Sequence, residues 1–160
     1  MRIPAARAVL VAVTTALIAL AACGSGGDPA VERPDGEWVL VEGEGPGGQV
    51  PIVDTQPVTL RIDDDELSGT AACNGYGGTA VIDGRQLRLQ EVFQTEMACE
   101  GEDVMASEAA YMEALREVSE HHRSGDELEL RGPDVHLRFE SLPSDGDAAA
   151  IAMPRRSPCT

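Results

Sequence analysis

The chain has 160 residues, a formal net charge of −16 and no lysine. This length is typical of one domain. A nucleic-acid partner needs a basic face that neutralises phosphates, so the charge argues against one, and it also argues against adhesion to anionic lipid headgroups. The chain has one tryptophan, two tyrosines and two phenylalanines, which predicts a modest core of mainly aliphatic side chains.

The N-terminal residues have the pattern of a signal peptide. Two arginines come first, and residues 8–20 are apolar apart from two threonines, a run too short to span a bilayer. The run ends in Leu20-Ala21-Ala22-Cys23, which resembles a bacterial lipobox. In that family of signals the cysteine thiol receives a diacylglyceryl group and the peptide is cut just before the cysteine. The alternative is an ordinary secretory peptide whose cleavage site happens to precede a cysteine.

The lipobox interpretation predicts a protein anchored in the cell membrane on its extracytoplasmic face. Cleavage between Ala22 and Cys23 would remove residues 1–22, and two acyl chains on Cys23 would hold the protein firmly. Residues 23–36 are rich in Gly, Pro, Asp and Glu and predict a flexible linker. A domain over 37–142 and a disordered tail over 143–160 follow.

Alternating apolar and polar residues predict a series of short strands within this domain. In chain order they cover 37–42, 58–62, 66–72, 79–82, 86–90, 127–131 and 135–139. A Gly/Pro-rich loop is expected over 43–51, and a polar turn over 63–65. Asp83-Gly84 lies between two of the strands and is a strong hairpin signal.

One segment has helical periodicity instead. Apolar side chains share one face over residues 104–118, and either Asp103 or Ser107 is placed to cap the start. The opposite, polar face is predicted to carry Glu108, Glu113, Arg116 and Glu117. The expected fold is therefore α+β, a curved antiparallel sheet of about seven to eight short strands, partly barrel-like, wrapped around a single α-helix.

Five sequence elements in the same order resemble the META domain (HslJ-like) family. They are Trp38-Val39-Leu40, Ala71-Ala72-Cys73-Asn74-Gly75-Tyr76-Gly77-Gly78, Thr95-Glu96-Met97-Ala98-Cys99, a helix with Glu108, Tyr111 and Leu115, and Gly125–Leu130 before a last strand that ends in Phe139. The likeness covers roughly residues 37–140. One departure is Ala72, where the family most often has glycine, and this leaves the backbone angle at that position open.

The resemblance implies a curved sheet around a helix, often on a bacterial lipoprotein anchor, and motif positions at Asn74, Gly75, Gly78, Thr95 and Met97. Members of the family have been linked to stress and antibiotic tolerance and to motility. The family supplies no established catalytic residues or cofactor, so none is expected here. We expect a monomer.

Cys73 and Cys99 are predicted to form a disulfide, because paired cysteines are the simplest state in an oxidising compartment. Cys159 competes as a partner, since three cysteines other than the lipidated one allow three pairings. A catalytic cysteine is disfavoured because the surrounding acidic charge raises a thiol pKa. Glycines at Gly75, Gly77 and Gly78 are interpreted as a turn that the disulfide would hold in place.

Other chemistry-bearing patterns have simpler explanations. His121, His122 and His136 are interpreted as exposed strand or turn residues, because adjacent strand residues point to opposite faces and cannot easily share a metal. The acidic run 63–66 lacks the spacing of a calcium loop, and the Gly-rich run 43–48 opens no helix, as dinucleotide binding requires. No metal site is predicted.

The function predicted from the sequence is that of a non-enzymatic envelope lipoprotein with a role in binding or in stress or antibiotic tolerance. One alternative is an acidic inhibitor or accessory module for a basic extracytoplasmic protein, since the strong negative charge would speed encounter with cations. Another alternative is an enzyme of unrecognised mechanism.

Overall fold

The computed structural model describes residues 31–143. The signal peptide, its cleavage site, the lipidated Cys23, and the tail with Cys159 lie outside the described residues. The described part contains one helix and nine strands. These are β1 (Gly36–Gly45), β2 (Gly48–Gln49), β3 (Thr59–Asp63), β4 (Glu66–Ala71), β5 (Asn74–Asp83), β6 (Gln86–Gln94), α1 (Glu102–Arg116), β7 (Glu120–Ser124), β8 (Glu127–Gly132) and β9 (Val135–Ser141).

The sheet is antiparallel throughout and closes on itself. Its strand order is β2-β1-β3-β4-β5-β6-β7-β8-β9, and β1 also pairs with β9. Eight strands therefore form a barrel, while the two-residue β2 only extends the end of β1 as a hairpin. Closure is weakest between β6 and β7, which pair only at Gln86 and Glu120, so most of β6 has no partner strand on that side. The predicted curved, barrel-like sheet of about seven to eight strands with one helix is confirmed.

The core fills the barrel with the inward-facing residues of its strands and with one face of the helix. Leu60, Ile62 and Leu67 come from β3 and β4, and Leu128, Leu137 and Phe139 come from β8 and β9, all at most 1% exposed. Tyr111 and Leu115 of α1 are fully buried against them. Burying each such side chain contributes roughly 1.5–3 kcal/mol, so packing of the helix against the barrel is a main source of stability.

The Gly/Pro-rich loop predicted over 43–51 is instead largely a hairpin. β1 continues to Gly45 and pairs with β9 as far as Glu44 and His136. Glycine is needed here because the helix approaches closely: a Cβ at Gly45 would lie 2.8 Å from the Cβ of Ala114. The composition that indicates a loop therefore marks a helix-packing contact within a strand.

The glycine-rich motif was wrongly interpreted as a turn. Asn74, Gly75, Gly77 and Gly78 all lie in β5. Glycine is needed at Gly78 because β6 approaches closely: a Cβ there would lie 2.8 Å from the carbonyl oxygen of Gln90. The turn is formed by Ala72 and Cys73, and the Cys73 N–H donates to the Ala71 oxygen at 2.7 Å.

Ala72 has a φ of 60°, in the left-handed region. A residue with a Cβ has a conformational energy about 1–2 kcal/mol higher in this region, and glycine avoids this cost. The backbone angle that the departure at Ala72 left open is therefore one that favours glycine, and this chain adopts it with alanine.

The helix begins and ends two residues earlier than predicted. Gly101 is the N-cap, with a φ of 112°, and no side chain caps the first turn, so the expected caps Asp103 and Ser107 are wrong. Glu102 and Asp103 instead occupy the first turn, where carboxylates interact favourably with the helix dipole. The apolar pattern continues past the helix end because Val118 is buried after it.

Residues 31–35 form no strand or helix, but they contact the barrel. The Arg123 guanidinium donates to the backbone oxygens of Arg33 and Asp35, at 3.1 and 2.7 Å, and Glu32 lies 3.3 Å from the same side chain. The segment that was assigned to the linker thus packs on the sheet from at least Glu32 onward. Within residues 31–143, α1 is neither long nor apolar enough to cross a bilayer.

Candidate functional site

The antiparallel barrel has two distinct ends. The termini end carries the described start and end of the chain together with the hairpins that join β3 to β4, β5 to β6 and β7 to β8. The helix end carries α1, the β4–β5 turn, the segment between β6 and α1, and the β8–β9 turn. The cysteine and asparagine motifs singled out in the sequence all lie at the helix end.

Asn74, the first residue of β5, holds the segment after β6 through its side chain. Its Oδ1 accepts bonds from the Met97 backbone N–H at 2.7 Å and from the Thr95 hydroxyl at 2.8 Å. Its Nδ2 donates to the Met97 carbonyl at 3.2 Å. The amide therefore pairs with Met97 as a neighbouring strand would, which fixes an otherwise irregular loop.

Glu108 of α1 completes this cluster from the helix side. Its carboxylate accepts the Asn74 backbone N–H at 2.8 Å, the Asn74 Nδ2 at 2.9 Å and the Gln94 Nε2 at 3.3 Å. The residue is only 4% exposed, and no arginine or histidine in residues 31–143 forms an ion pair with it. A buried carboxylate without a cation depends on such donors to remain in place.

The Cys73–Cys99 disulfide lies next to this cluster in the chain, because Cys73 directly precedes Asn74. It joins the β4–β5 turn to the residue two positions before the helix N-cap, with a sequence separation of 26. The predicted pairing is confirmed. The disulfide joins the start of β5 to the loop after β6, and the contacts of Asn74 with Glu108 add the helix to these two segments.

Two tyrosines lie beneath this cluster in the barrel interior. The Tyr76 hydroxyl donates to the Thr59 carbonyl at 2.8 Å, so the Tyr111 hydroxyl, 2.6 Å away, must donate to Tyr76. Burial raises the pKa of both hydroxyls well above the ordinary value for tyrosine. Both stay protonated at neutral pH and act as structural donors rather than as bases.

The predicted motif residues separate into two groups. Asn74, Thr95 and Met97 come together in the hydrogen-bonded cluster. Gly78 allows β6 to approach β5 closely, whereas a Cβ at Gly75 would have room, since its nearest atom lies 3.8 Å away. Sequence reasoning missed Gln94 and placed Glu108 on the exposed polar face, which is wrong. The spacing of Glu108 to Tyr111, three residues apart on a helix, is the signal that places it on the buried face.

His121 is also not exposed as predicted, since it is 2% exposed and points into the barrel, whereas His122 is exposed. Its Nε2 lies 2.9 Å from the Gly84 carbonyl, so Nε2 carries the proton and donates. Nδ1 has no hydrogen-bond partner among residues 31–143. Burial lowers the pKa of His121, and the bond to Gly84 opposes that shift less strongly.

This environment predicts a loss of stability in mild acid. The unfolded chain takes up a proton on His121 as pH falls through about 6.5, whereas the folded protein resists it to lower pH. The free energy of unfolding should therefore fall as pH decreases below about 6.5, by at most about 1.4 kcal/mol per pH unit from this group. Urea unfolding at pH 7.5 and pH 5.5 measures it.

The matched variants for this pH effect are His121→Gln and His122→Gln. His121→Gln should have a smaller difference in unfolding free energy between the two pH values than the wild type. His122→Gln changes an exposed residue and should retain the wild-type difference. Equal pH differences in all three proteins would contradict a role for His121.

One groove in the described residues lies at the termini end. It has a volume of about 740 Å³ and is lined by residues that include Trp38, Arg61, Arg123, Asp126 and Leu142. The Arg123 guanidinium lies 5.0 Å from the centre of the Trp38 ring, and the Trp38 Nε1 donates to the Pro34 carbonyl at 3.0 Å. These contacts fix residues 31–36 against the barrel, and both arginines in the lining form ion pairs.

Within residues 31–143 no group of three or more His, Cys, Asp or Glu side chains is placed to hold a metal. The arrangement at the helix end is a satisfied polar cluster that rigidifies a loop. Two large apolar side chains are exposed here: Phe93, near the end of β6, is 64% exposed, and Met97, in the loop, is 57% exposed. The chemistry of this end is therefore that of a rigid surface, with its interior carboxylate already bonded.

Comparison with known proteins gave one family and several similar structures. The family model described as META domain matches residues 31–142. A protein from Burkholderia xenovorans, solved by NMR, is 23% identical with a TM-score of 0.59, over 69% of this chain and 83% of that one. A second NMR structure is 20% identical with a TM-score of 0.52, over 66% and 88%. These two likenesses support the fold, and no curated protein matched the chain.

Proposed function

The chain belongs to the META domain family, and on that premise we propose that it is a non-enzymatic binding domain anchored by lipid outside the cytoplasm. The process it serves is envelope stress or antibiotic tolerance. The sequence supplies the anchor, through Leu20-Ala21-Ala22-Cys23. The barrel supplies a rigid body on which a binding surface is displayed.

One observation carries this proposal: the chain enters and leaves the barrel at the same end. Glu32 and Arg33 contact Arg123 and Asp64 there, and the Leu142 N–H donates to the Glu37 carbonyl at 2.8 Å. A lipid at Cys23 would therefore lie on the side of the termini end. The helix end, with its rigid loop, would face away from the membrane.

The connection from the lipid to the barrel is short. Eight residue steps separate Cys23 from Val31, and a fully extended chain spans at most about 3.6 Å per residue, or about 29 Å. The barrel would thus be held close to the bilayer. A domain at that height meets other proteins of the envelope rather than distant soluble partners.

The titratable groups support binding rather than catalysis. Glu108 is buried and already accepts bonds from Asn74 and Gln94, and the two interior tyrosines have raised pKa values. Cys73 and Cys99 are joined in a disulfide. General acid–base or nucleophilic catalysis requires a group that can reach a substrate, and these groups are already engaged within the fold.

The anchor is tested by Cys23→Ala. Without the thiol no diacylglyceryl group can be attached, so the protein should move from the membrane fraction to the soluble or secreted fraction. Immunoblots of fractionated cells measure the shift, with Cys159→Ala as a control that removes a cysteine elsewhere and should stay in the membrane fraction. A Cys23→Ala protein that remains as firmly bound as the wild type would refute the anchor.

Cys23→Ala also tests the proposed role in envelope stress or antibiotic tolerance. A strain without the protein should survive envelope-acting antibiotics less well, and wild type should restore survival while Cys23→Ala should not. Restoration by Cys23→Ala would show that anchoring is unnecessary. Unchanged survival of the deleted strain under every envelope stress would contradict the tolerance role.

A further inference from the structure

We propose that the helix end binds a basic, amphipathic segment of an extracytoplasmic protein, through a surface we call the acidic patch. The acidic patch consists of two exposed apolar side chains and the exposed carboxylates of the same stretch of chain, 91–103: Phe93, Met97, Glu91, Glu96, Glu100, Glu102 and Asp103. This inference names the partner of the binding surface in the proposed function and rests on it.

The Phe93 ring and the Met97 backbone are held in place. The Phe93 ring lies over Gly77, where a Cβ would be 2.8 Å from Phe93 Cζ, so no side chain separates the ring from the β5 backbone. Met97 is fixed because its backbone N–H and carbonyl both bond to Asn74. A ring and a loop backbone that are already ordered lose little conformational entropy on binding, which favours affinity.

The acidic side chains of residues 91–117 form no ion pairs with the described residues of the protein. Residues 91–117 contain eight acidic residues and one arginine, Arg116. Of these carboxylates only Glu108 is buried, and the Arg116 guanidinium donates to the Met112 carbonyl. Every ion pair within residues 31–143 lies outside this segment and involves Arg33, Arg61, Arg123, Arg131, His136 or Arg138.

This combination identifies the chemistry of the partner. Exposed carboxylates that the protein leaves unpaired attract cations and steer a basic partner into contact. The exposed side chains of Phe93 and Met97 add an apolar contact that a small inorganic cation cannot use. A second copy of the chain would bring like charge against like charge. A basic segment with apolar side chains matches both features.

The probe is a synthetic peptide of about 14 residues with alternating lysine and leucine, a length suited to one docking segment. Binding to the full chain in a neutral detergent is measured by isothermal titration calorimetry at low and high salt. We expect the Kd to rise at least about tenfold as salt increases. A peptide with serine in place of leucine should bind at least about tenfold more weakly.

Two charge variants with the same net change locate the site. Glu96→Gln/Glu100→Gln/Glu102→Gln removes three carboxylates of the acidic patch and should raise the Kd at least about tenfold. Asp65→Asn/Glu66→Gln/Asp83→Asn removes three exposed carboxylates at the termini end and should change it less than about twofold. Phe93→Ser/Met97→Ser tests the apolar contact and should also weaken binding. Circular dichroism of each variant confirms that it is folded.

Several outcomes would overturn the proposal. Equal weakening by both charge variants would mean non-specific attraction to a negatively charged protein. An unchanged Kd with Phe93→Ser/Met97→Ser would remove the apolar contact. A dimer in analytical ultracentrifugation that dissociates with Phe93→Ser/Met97→Ser would identify a second copy as the occupant. The fractionation of Cys23→Ala involves no peptide, so failure of the anchor and failure of the acidic patch are seen separately.

Discussion

Replacing both bridging cysteines, as Cys73→Ala/Cys99→Ala, is expected to lower the free energy of unfolding by about 3–4 kcal/mol. The disulfide closes a loop with a sequence separation of 26, and opening it restores conformational entropy to the unfolded chain. That loss is a large share of the roughly 5–15 kcal/mol that stabilises a domain. Guanidinium unfolding monitored by the fluorescence of Trp38 measures it.

The control for the disulfide is Cys159→Ala, which removes a cysteine outside the bridge and should unfold at the wild-type concentration of guanidinium. Wild type measured with a thiol reductant should match the double variant. A loss below about 1 kcal/mol, within the range of ordinary surface substitutions, would show that the loop is equally constrained without the bond. The expectation would then be wrong.

Replacing Glu108 with glutamine should cost about 2–3 kcal/mol of stability. Glutamine keeps the size of the side chain but turns one acceptor oxygen into an NH₂ group. That group would face the donors of Asn74 and Gln94, which lie 2.8–3.3 Å from the carboxylate, and buried donors would lose their acceptor. Removal of a buried charge offsets part of the cost. Chemical unfolding at pH 7.5 measures the difference.

Glu113→Gln is the matched control, because this glutamate is exposed on the same helix and its substitution should change stability by less than about 0.5 kcal/mol. Asn74→Asp tests the other partner: it would set a second carboxylate against Glu108, so its stability should recover as pH falls and one of the two is protonated. Equal stability of Glu108→Gln and Glu113→Gln would contradict the role given to the buried carboxylate.

Local sequence signals were enough to predict most of the sheet. The Asp83-Gly84 signal corresponds to the turn between β5 and β6, where Gly84 has a φ of 57°. The alternation of apolar and polar residues predicted the bounds of β3, β8 and β9 to within one or two residues, because a strand with one buried face has a period of two. The disulfide was also predicted, because an oxidising compartment was expected and favours pairing, although the number of cysteines left three pairings open.

Features that depend on how distant elements meet were not predictable from local pattern. Gly45 and Gly78 suggest a loop or a turn until the helix and β6 are seen to pack against them. A glutamate on a helix is usually expected at the surface because its side chain is charged. Burial of Glu108 is favourable only because Asn74, 34 residues away, donates to its carboxylate. Burial of His121 was not predictable either, because its hydrogen-bond partner, the Gly84 carbonyl, belongs to a different hairpin.

The pairing of β1 with β9 also has a consequence for engineering. Trp38 lies opposite Ser141 in this pair, and the Leu142 N–H bonds to the Glu37 carbonyl, so the two ends of the described chain lie side by side. Domains with adjacent ends tolerate insertion into a host protein. Placed within a surface loop of another protein, this barrel would be held by two covalent connections at one end, with the acidic patch exposed at the other.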